Sequence, residues 1–249
     1  MSKFFVLVLL STLPLAGPAS AIIRRHDRDD ARHLALGRDL EAVVDMRLPG
    51  GAGTLIAPDW VLTAAHVVQL IRLPHRIRVG EHDYRIARMI PFPGGKVGRD
   101  DIALVQLDRP VADVPPMALD FGDVEPGATI LVAGRGLPGD GLHGPAARDG
   151  KLRAATNRVD RVLEKWLVFR FDPPAEALDD EGISGPGDSG GPAVIDRGKA
   201  RRVVGVSSAQ DDHGTGKEGR YGVDEYYVRA AAYREWITST IAEPSPRKL

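Results

Sequence analysis

The chain has 249 residues, 43% of them hydrophobic and 28 of them glycine, which is enough to bury a sizeable core. Lysine and arginine (33) nearly balance aspartate and glutamate (34), which argues against a nucleic-acid-binding surface or a charged tail. Cysteine is absent, so packing must do the work of disulfides, and past residue 21 no apolar run is long enough to span a bilayer.

In chain order, Lys3, the apolar run 4–10 and Ala19-Ser20-Ala21 have the form of an export signal over residues 1–21. Cleavage after Ala21 leaves a chain that begins Ile22-Ile23. Residues 24–38 are polar and charged and read as an irregular segment. His26, Asp27, Asp29, Asp30 and His33 within it have the atoms to chelate a metal but read as a solvated loop. Short apolar stretches then recur at 42–44, 53–57, 61–64, 102–107, 129–133, 167–171 and 203–207, separated by glycine, proline and aspartate turns. That rhythm predicts antiparallel β structure closed into barrels. Pro110, Pro115 and Pro116 mark an extended crossing near 111–121. The glycine- and proline-rich run 137–149 reads as a mobile surface loop. Asp179-Asp180-Glu181 has the carboxylates to bind calcium but no pattern that supports a site. Tyr233, Trp236, Ile237 and Ile241 recur at helical spacing and predict a terminal helix.

Three segments carry chemistry. In Gly187-Asp188-Ser189-Gly190-Gly191-Pro192, glycines flank a serine, and the backbone N–H groups of Gly187 and Ser189 can aim at one point, as an oxyanion hole requires. A serine hydroxyl is a weak nucleophile unless a base takes its proton. Trp60-Val61-Leu62-Thr63-Ala64-Ala65-His66 ends a strand-like run in a histidine at the edge of a packed core. In Asp101-Ile102-Ala103-Leu104-Val105-Gln106-Leu107, an aspartate opens an apolar strand.

The order His66, Asp101, Ser189 and the residues around each make the sequence resemble the chymotrypsin/trypsin family of serine proteases over nearly the whole chain after residue 21. The resemblance implies an all-β fold of two six-stranded antiparallel barrels with a C-terminal helix. One protease domain would span 22–249, the first barrel about 22–115 and the second about 116–242. Ser189 would attack the scissile carbonyl, His66 act as general base and then acid, and Asp101 orient the imidazole. Asp100 is then a solvated neighbour. Ser208 matches the serine beside the triad aspartate, with Ser207 as the alternative register. Ile22 would insert its amino group against Asp188, although Arg24-Arg25-His26 follow where the family usually has glycines. Gly51 and Val67 stand at positions many relatives bridge with cystines, and Arg135 replaces the tryptophan of a Gly-Trp-Gly turn.

The resemblance also places Ile183 at the floor of the specificity pocket, with Ser208, Ala209 and Gln210 on one wall. An apolar floor favours a small or apolar residue on the acyl side of the cut bond (P1). Glu225, projecting from the opposite wall, would instead favour arginine or lysine, and the sequence leaves both open. No cofactor and no metal is implied. The expected activity is that of a secreted or periplasmic endopeptidase acting on polypeptides, with a protein inhibitor as a candidate partner and no membrane contact in the mature form. The alternative is a secreted, inactive binding protein on the same fold.

Overall fold

In the computed structural model the residues described are 22–47, 51–147, 149–198 and 200–243. The predicted export signal over 1–21 lies outside them. Val43–Asp45, Ala52–Ala57, Trp60–Thr63, Arg76–Val79, His82–Pro91 and Ala103–Leu107 close into a six-stranded antiparallel barrel. Two of its hairpins have two-residue turns, Pro58-Asp59 before Trp60 and Gly80-Glu81 before His82, the latter with Gly80 at φ +56°. At Gly80 the positive φ that suits a two-residue hairpin turn falls on a glycine. Trp60–Thr63 and Ala103–Leu107 are buried along their whole length and lie side by side in the ladder. Leu55, Leu62, Ile77, Val79, Ile102 and Leu104 fill the interior.

The second half is a seven-stranded sheet in the order Arg153–Arg158, Thr129–Gly134, Pro192–Asp196, Arg201–Asp211, Asp224–Arg229, Trp166–Arg170, Arg161–Val162. It wraps a second core of Ile130, Val132, Leu167, Phe169, Phe171 and Tyr227. The all-β architecture with a closed first barrel and a C-terminal helix is as expected, and the second half is a half-barrel, an open seven-stranded sheet in place of a closed six-stranded one. At its seam the Asn157 carboxamide donates to Arg170 O (3.0 Å) and Gly182 O (3.1 Å), bridging a gap the backbone ladder leaves. The crossing between the halves is extended, as the prolines require. Met117 N–H donates to Leu55 O of the first barrel, and Asp120 N–H to Val203 O of the second sheet.

Three segments sit differently from expectation. Residues 22–37, assigned to the first barrel, pack on the second half. Ile23–Arg24 pairs with Gly182–Ile183, and the helix Asp30–Gly37 lies against Arg153–Arg158. Their charges found partners there: Arg153 binds Asp30 and Asp149, and Arg32 binds Asp180. The run 137–149 contributes Gly139–Asp140 and Gly144–Pro145, which pair with each other, and the first of these pairs with Ile23–Arg24. The terminal helix Arg234–Ala242 joins the first core rather than the second. Tyr233 and Trp236 both meet the Phe92 ring edge-on, at 5.0 and 5.4 Å.

Candidate active site

His66 is the second residue of the short helix Ala65–Leu70, whose Ala65, Val67 and Val68 are buried. Ala64 and Ala65 are small enough for the chain to leave the barrel wall at this point with only the imidazole standing out. The ring is half-buried and its Nδ1 lies 2.7 Å from Asp101 Oδ2. The other carboxylate oxygen accepts His66 N–H at 2.9 Å. Asp101 is fully buried, and its Oδ2 also accepts the Ser208 hydroxyl at 2.6 Å. Burial by itself would push the Asp101 carboxyl up, but the hydrogen bonds from His66 and Ser208 outweigh it and hold it below its ordinary value. An ionised carboxylate only accepts, so the proton of the neutral ring is assigned to Nδ1 and Nε2 is left as the basic nitrogen.

Asp100, the neighbour expected in solvent, is instead anchored. Its Oδ1 receives Lys165 Nζ at 2.6 Å and the Tyr233 hydroxyl at 2.7 Å, and its φ of +51° turns it away from Asp101. Ser207, the alternative to Ser208, points elsewhere, with its hydroxyl 3.3 Å from Ser184 Oγ.

Ser189 enters from the second half, and glycine brings it in. A Cβ on Gly190 would collide with Thr63 Oγ1 and Ala52 O, and would come within 2.9 Å of Ala64 N. Glycine thus lets the Ser189 turn lie directly on the segment that leads into His66. Ala52 N–H donates to Ser189 O at 2.7 Å, which fixes the contact. Gly187 has φ +92°, a left-handed conformation that glycine adopts without cost.

Asp188 points the other way, into the second half, and is buried. Its Oδ1 accepts Gly136 N–H at 2.6 Å, and its Oδ2 accepts Gly185 N–H at 2.9 Å and the Ile22 nitrogen at 3.0 Å. Added Cβ atoms at Gly134 or Gly136 would strike the Asp188 side chain or the adjoining backbone, which explains that glycine pair. Arg135 between them reaches away to Gly150 O. Ile22 and Ile23 are buried in the second core. Arg24 and Arg25, which stand in place of glycines, are absorbed. Arg25 grips Asp27 through two bonds of 2.9 and 2.7 Å and donates to Leu178 O, while Arg24 donates to Arg25 O and Arg28 O.

Beside Ser189 opens a cavity of about 320 Å³, lined among others by Ser184, Gly185, Ser208, Ala209 and Gln210. Ile183, expected at its floor, does not line it. Its side chain packs in the second core because its strand pairs with Ile23, and Ser184 takes the place on the cavity side. Glu225 lies fully buried behind Ser184 and Gln210. Its carboxyl accepts the Ser184 hydroxyl (2.8 and 3.1 Å) and Gln210 Nε2 (2.5 Å). Burial, helped by the charge of Asp188, pushes it up to about 8 against the pull of those hydrogen bonds. Sequence reasoning missed Ser184, Asp212 and Glu218 in the lining. Ser184 could have been found from its place next to Ile183, but the two loop carboxylates carried no signal.

The raised Glu225 predicts how stability responds to pH. Its protonated form is favoured by folding, so its contribution is fully present below about 4.5 and is lost as pH rises through about 8. Glu181, pushed by burial to about 7, acts in the same direction. Glu225→Gln should therefore lose less melting temperature than the parent between pH 5 and pH 9, with Glu181 accounting for part of the remaining slope. Thermal unfolding at the two pH values measures this, and equal slopes would refute it.

The family model for trypsin matches residues 40–237. The chain belongs to the trypsin family of serine proteases. It is 31% identical over 231 residues to mouse (Mus musculus) Serine protease 56, covering 81% of this chain and 37% of that one. It is 30% identical over 216 residues to trypsin of Squalus acanthias, covering 76% and 85%. It is 29% identical over 215 residues to human Kallikrein-15, covering 76% and 80%. The chain thus spans little more than a third of the length of Serine protease 56. Among the described residues no helix is long and apolar enough to cross a membrane.

Proposed function

We propose that the protein is an exported serine endopeptidase that cuts peptide bonds through an acyl-enzyme, with Ser189 as nucleophile, His66 as general base and acid, and Asp101 as orienting carboxylate. The observation that carries this is the buried chain Ser208–Asp101–His66, which fixes the imidazole tautomer, together with the close seat of the Ser189 turn on Ala52 and Ala64. Ser189 Oγ adds to the carbonyl carbon as Nε2 takes its proton. The N–H groups of Gly187 and Ser189 receive the oxyanion, and the protonated ring then gives its proton to the leaving amine. Water repeats the sequence to release the acid.

Cleavage after Ala21 is the proposed activating step, and two features support it. The Ile22 nitrogen already faces Asp188, and Ile22 holds φ at +68°. For a β-branched residue that conformation is strained by contact between Cβ and the preceding carbonyl, at a cost on the order of 1–3 kcal/mol. Removing residue 21 removes that carbonyl, so the seat favours a chain that begins at Ile22. The test is digestion of an unfolded polypeptide, with fragments read by mass spectrometry. Internal cuts made by the chain starting at Ile22, and lost in Ser189→Ala, are expected. Absence of cuts, or cuts only from the termini, would refute the endopeptidase reading.

A further inference from the structure

Gln210 and Glu225 are direct partners across adjacent strands, so both side chains leave the sheet on the same face. The Gln210 carboxamide leans over the acid. Its Nε2 donates to Glu225 Oε1 at 2.5 Å and to Ser184 O at 2.7 Å, and its Oε1 accepts Gly219 N–H at 3.2 Å. Both amide hydrogens and the carbonyl are therefore in use. One neutral group ties together three walls of the cavity beside Ser189. A side chain entering from the cleft meets this amide rather than a carboxylate.

We propose that the Gln210 carboxamide is a built-in occupant of the P1 pocket, holding the place a P1 cation would take at Glu225, so that this chain selects peptides with a short, uncharged P1 side chain. The inference rests on the protease reading for the word P1, while the geometry of the occupant stands by itself. A lysine or arginine would have to break all three of these hydrogen bonds, or lie buried over a neutral amide with the nearest carboxylates out on the solvated loop of Asp212 and Glu218, and either is costly. Alanine or serine leaves the bridge intact. Of the cavity's two loop carboxylates, Asp212 already accepts Gly214 N–H at 3.0 Å and Lys217 N–H at 2.9 Å and serves its own loop, while Glu218 is exposed, where water and salt screen its charge. Removal of the amide uncovers Glu225 and Ser184 O together, a carboxyl group that an entering cation would favour in its ionised form and a carbonyl, at the base of a now deeper cavity. Gln210 is then a single-residue determinant of charge selectivity.

The test compares matched peptide esters with Ala, Val, Lys or Arg at P1 on the parent, Gln210→Gly and the double variant Gln210→Gly/Glu225→Gln. Gln210→Ala keeps the strand's Cβ and serves if the glycine variant folds poorly. Binding of p-aminobenzamidine, an amidinium followed by fluorescence, reads the pocket without turnover. The parent should favour Ala over Arg and bind the amidinium weakly. Gln210→Gly should move the Arg/Ala ratio of kcat/KM about 100-fold toward Arg and gain amidinium binding. Adding Glu225→Gln should remove both gains. A parent that prefers Lys or Arg overturns the inference. So does a Gln210→Gly protein that reacts with a fluorophosphonate yet keeps the parent's ratio. If no form hydrolyses any ester but Gln210→Gly alone gains the amidinium, the protease reading falls and the pocket inference stands. Equal amidinium binding by all forms overturns it whatever the catalysis.

Discussion

Asp101→Asn should lower kcat by about 10⁴-fold while the protein stays folded. The carboxylate offers only acceptors, and both oxygens are engaged: Oδ1 by His66 N–H, Oδ2 by the imidazole and by Ser208. Asparagine keeps one acceptor oxygen and turns the other position into a donor. If that donor faces Nδ1, the ring must move its proton to Nε2, where it meets Ser189 as a donor instead of a base. If the side chain flips, the donor faces His66 N–H, and two buried donors confront each other. Either way the base is lost or displaced, whereas the volume is unchanged and the barrel should hold. Ester hydrolysis by stopped assay, with circular dichroism as the control on folding, measures it. A loss below 10-fold would mean that Asp101 does not set the tautomer.

Asp188→Ala is expected to cost about 10²–10³ in kcat, because it disorders the turn that carries the oxyanion donors. The carboxylate gathers three N–H groups, from Ile22, Gly136 and Gly185, in a site closed to water. Each donor left unpaired costs about 1–3 kcal/mol, so the local structure rearranges rather than leave all three bare. The first to move is the turn from Gly185 to Ser189, whose backbone bends around Asp188 through Asp188 N–H to Gly185 O and Gly191 N–H to Asp188 O. The six-stranded barrel makes none of these bonds and should be unaffected. The expected signature is a large fall in reactivity toward fluorophosphonate and, because Gly185 of that turn lines the cavity, weaker binding of p-aminobenzamidine in a Gln210→Gly background, with the far-UV circular dichroism unchanged. Undiminished reactivity would mean that the turn holds its shape without its buried acid.

What could be read from the sequence follows from where the information is local. Four of the barrel strands, the His66 segment and the Ser189 turn each carry their cause within a few residues: short apolar runs, small residues before a polar one, glycines where backbones touch. Arg76–Val79 and His82–Pro91 did not show, because charged residues on their outward face interrupt any apolar run. The seats of Ser208 and Asp188 were legible for the same reason, since each lies in a short motif. Ile183 was not. The resemblance put it at the pocket floor, but its pairing with Ile23, some 160 residues away, turns it into the core. Residues 22–37 were misplaced because their partners, Arg153 and Asp180 among them, lie in the other half of the chain. Asp100 read as solvated because neither Lys165 nor Tyr233 is near it in sequence. The Gln210–Glu225 bridge depends on a strand register that periodicity does not supply.

The most direct measurement is stoichiometric labelling of the chain beginning at Ile22 with a fluorophosphonate, using Ser189→Ala as control. The account predicts one label per chain, placed on Ser189 by mass spectrometry and absent from the mutant. A folded chain that takes no label, with the barrel's circular dichroism intact, would contradict it and leave a trypsin-family fold without a working nucleophile.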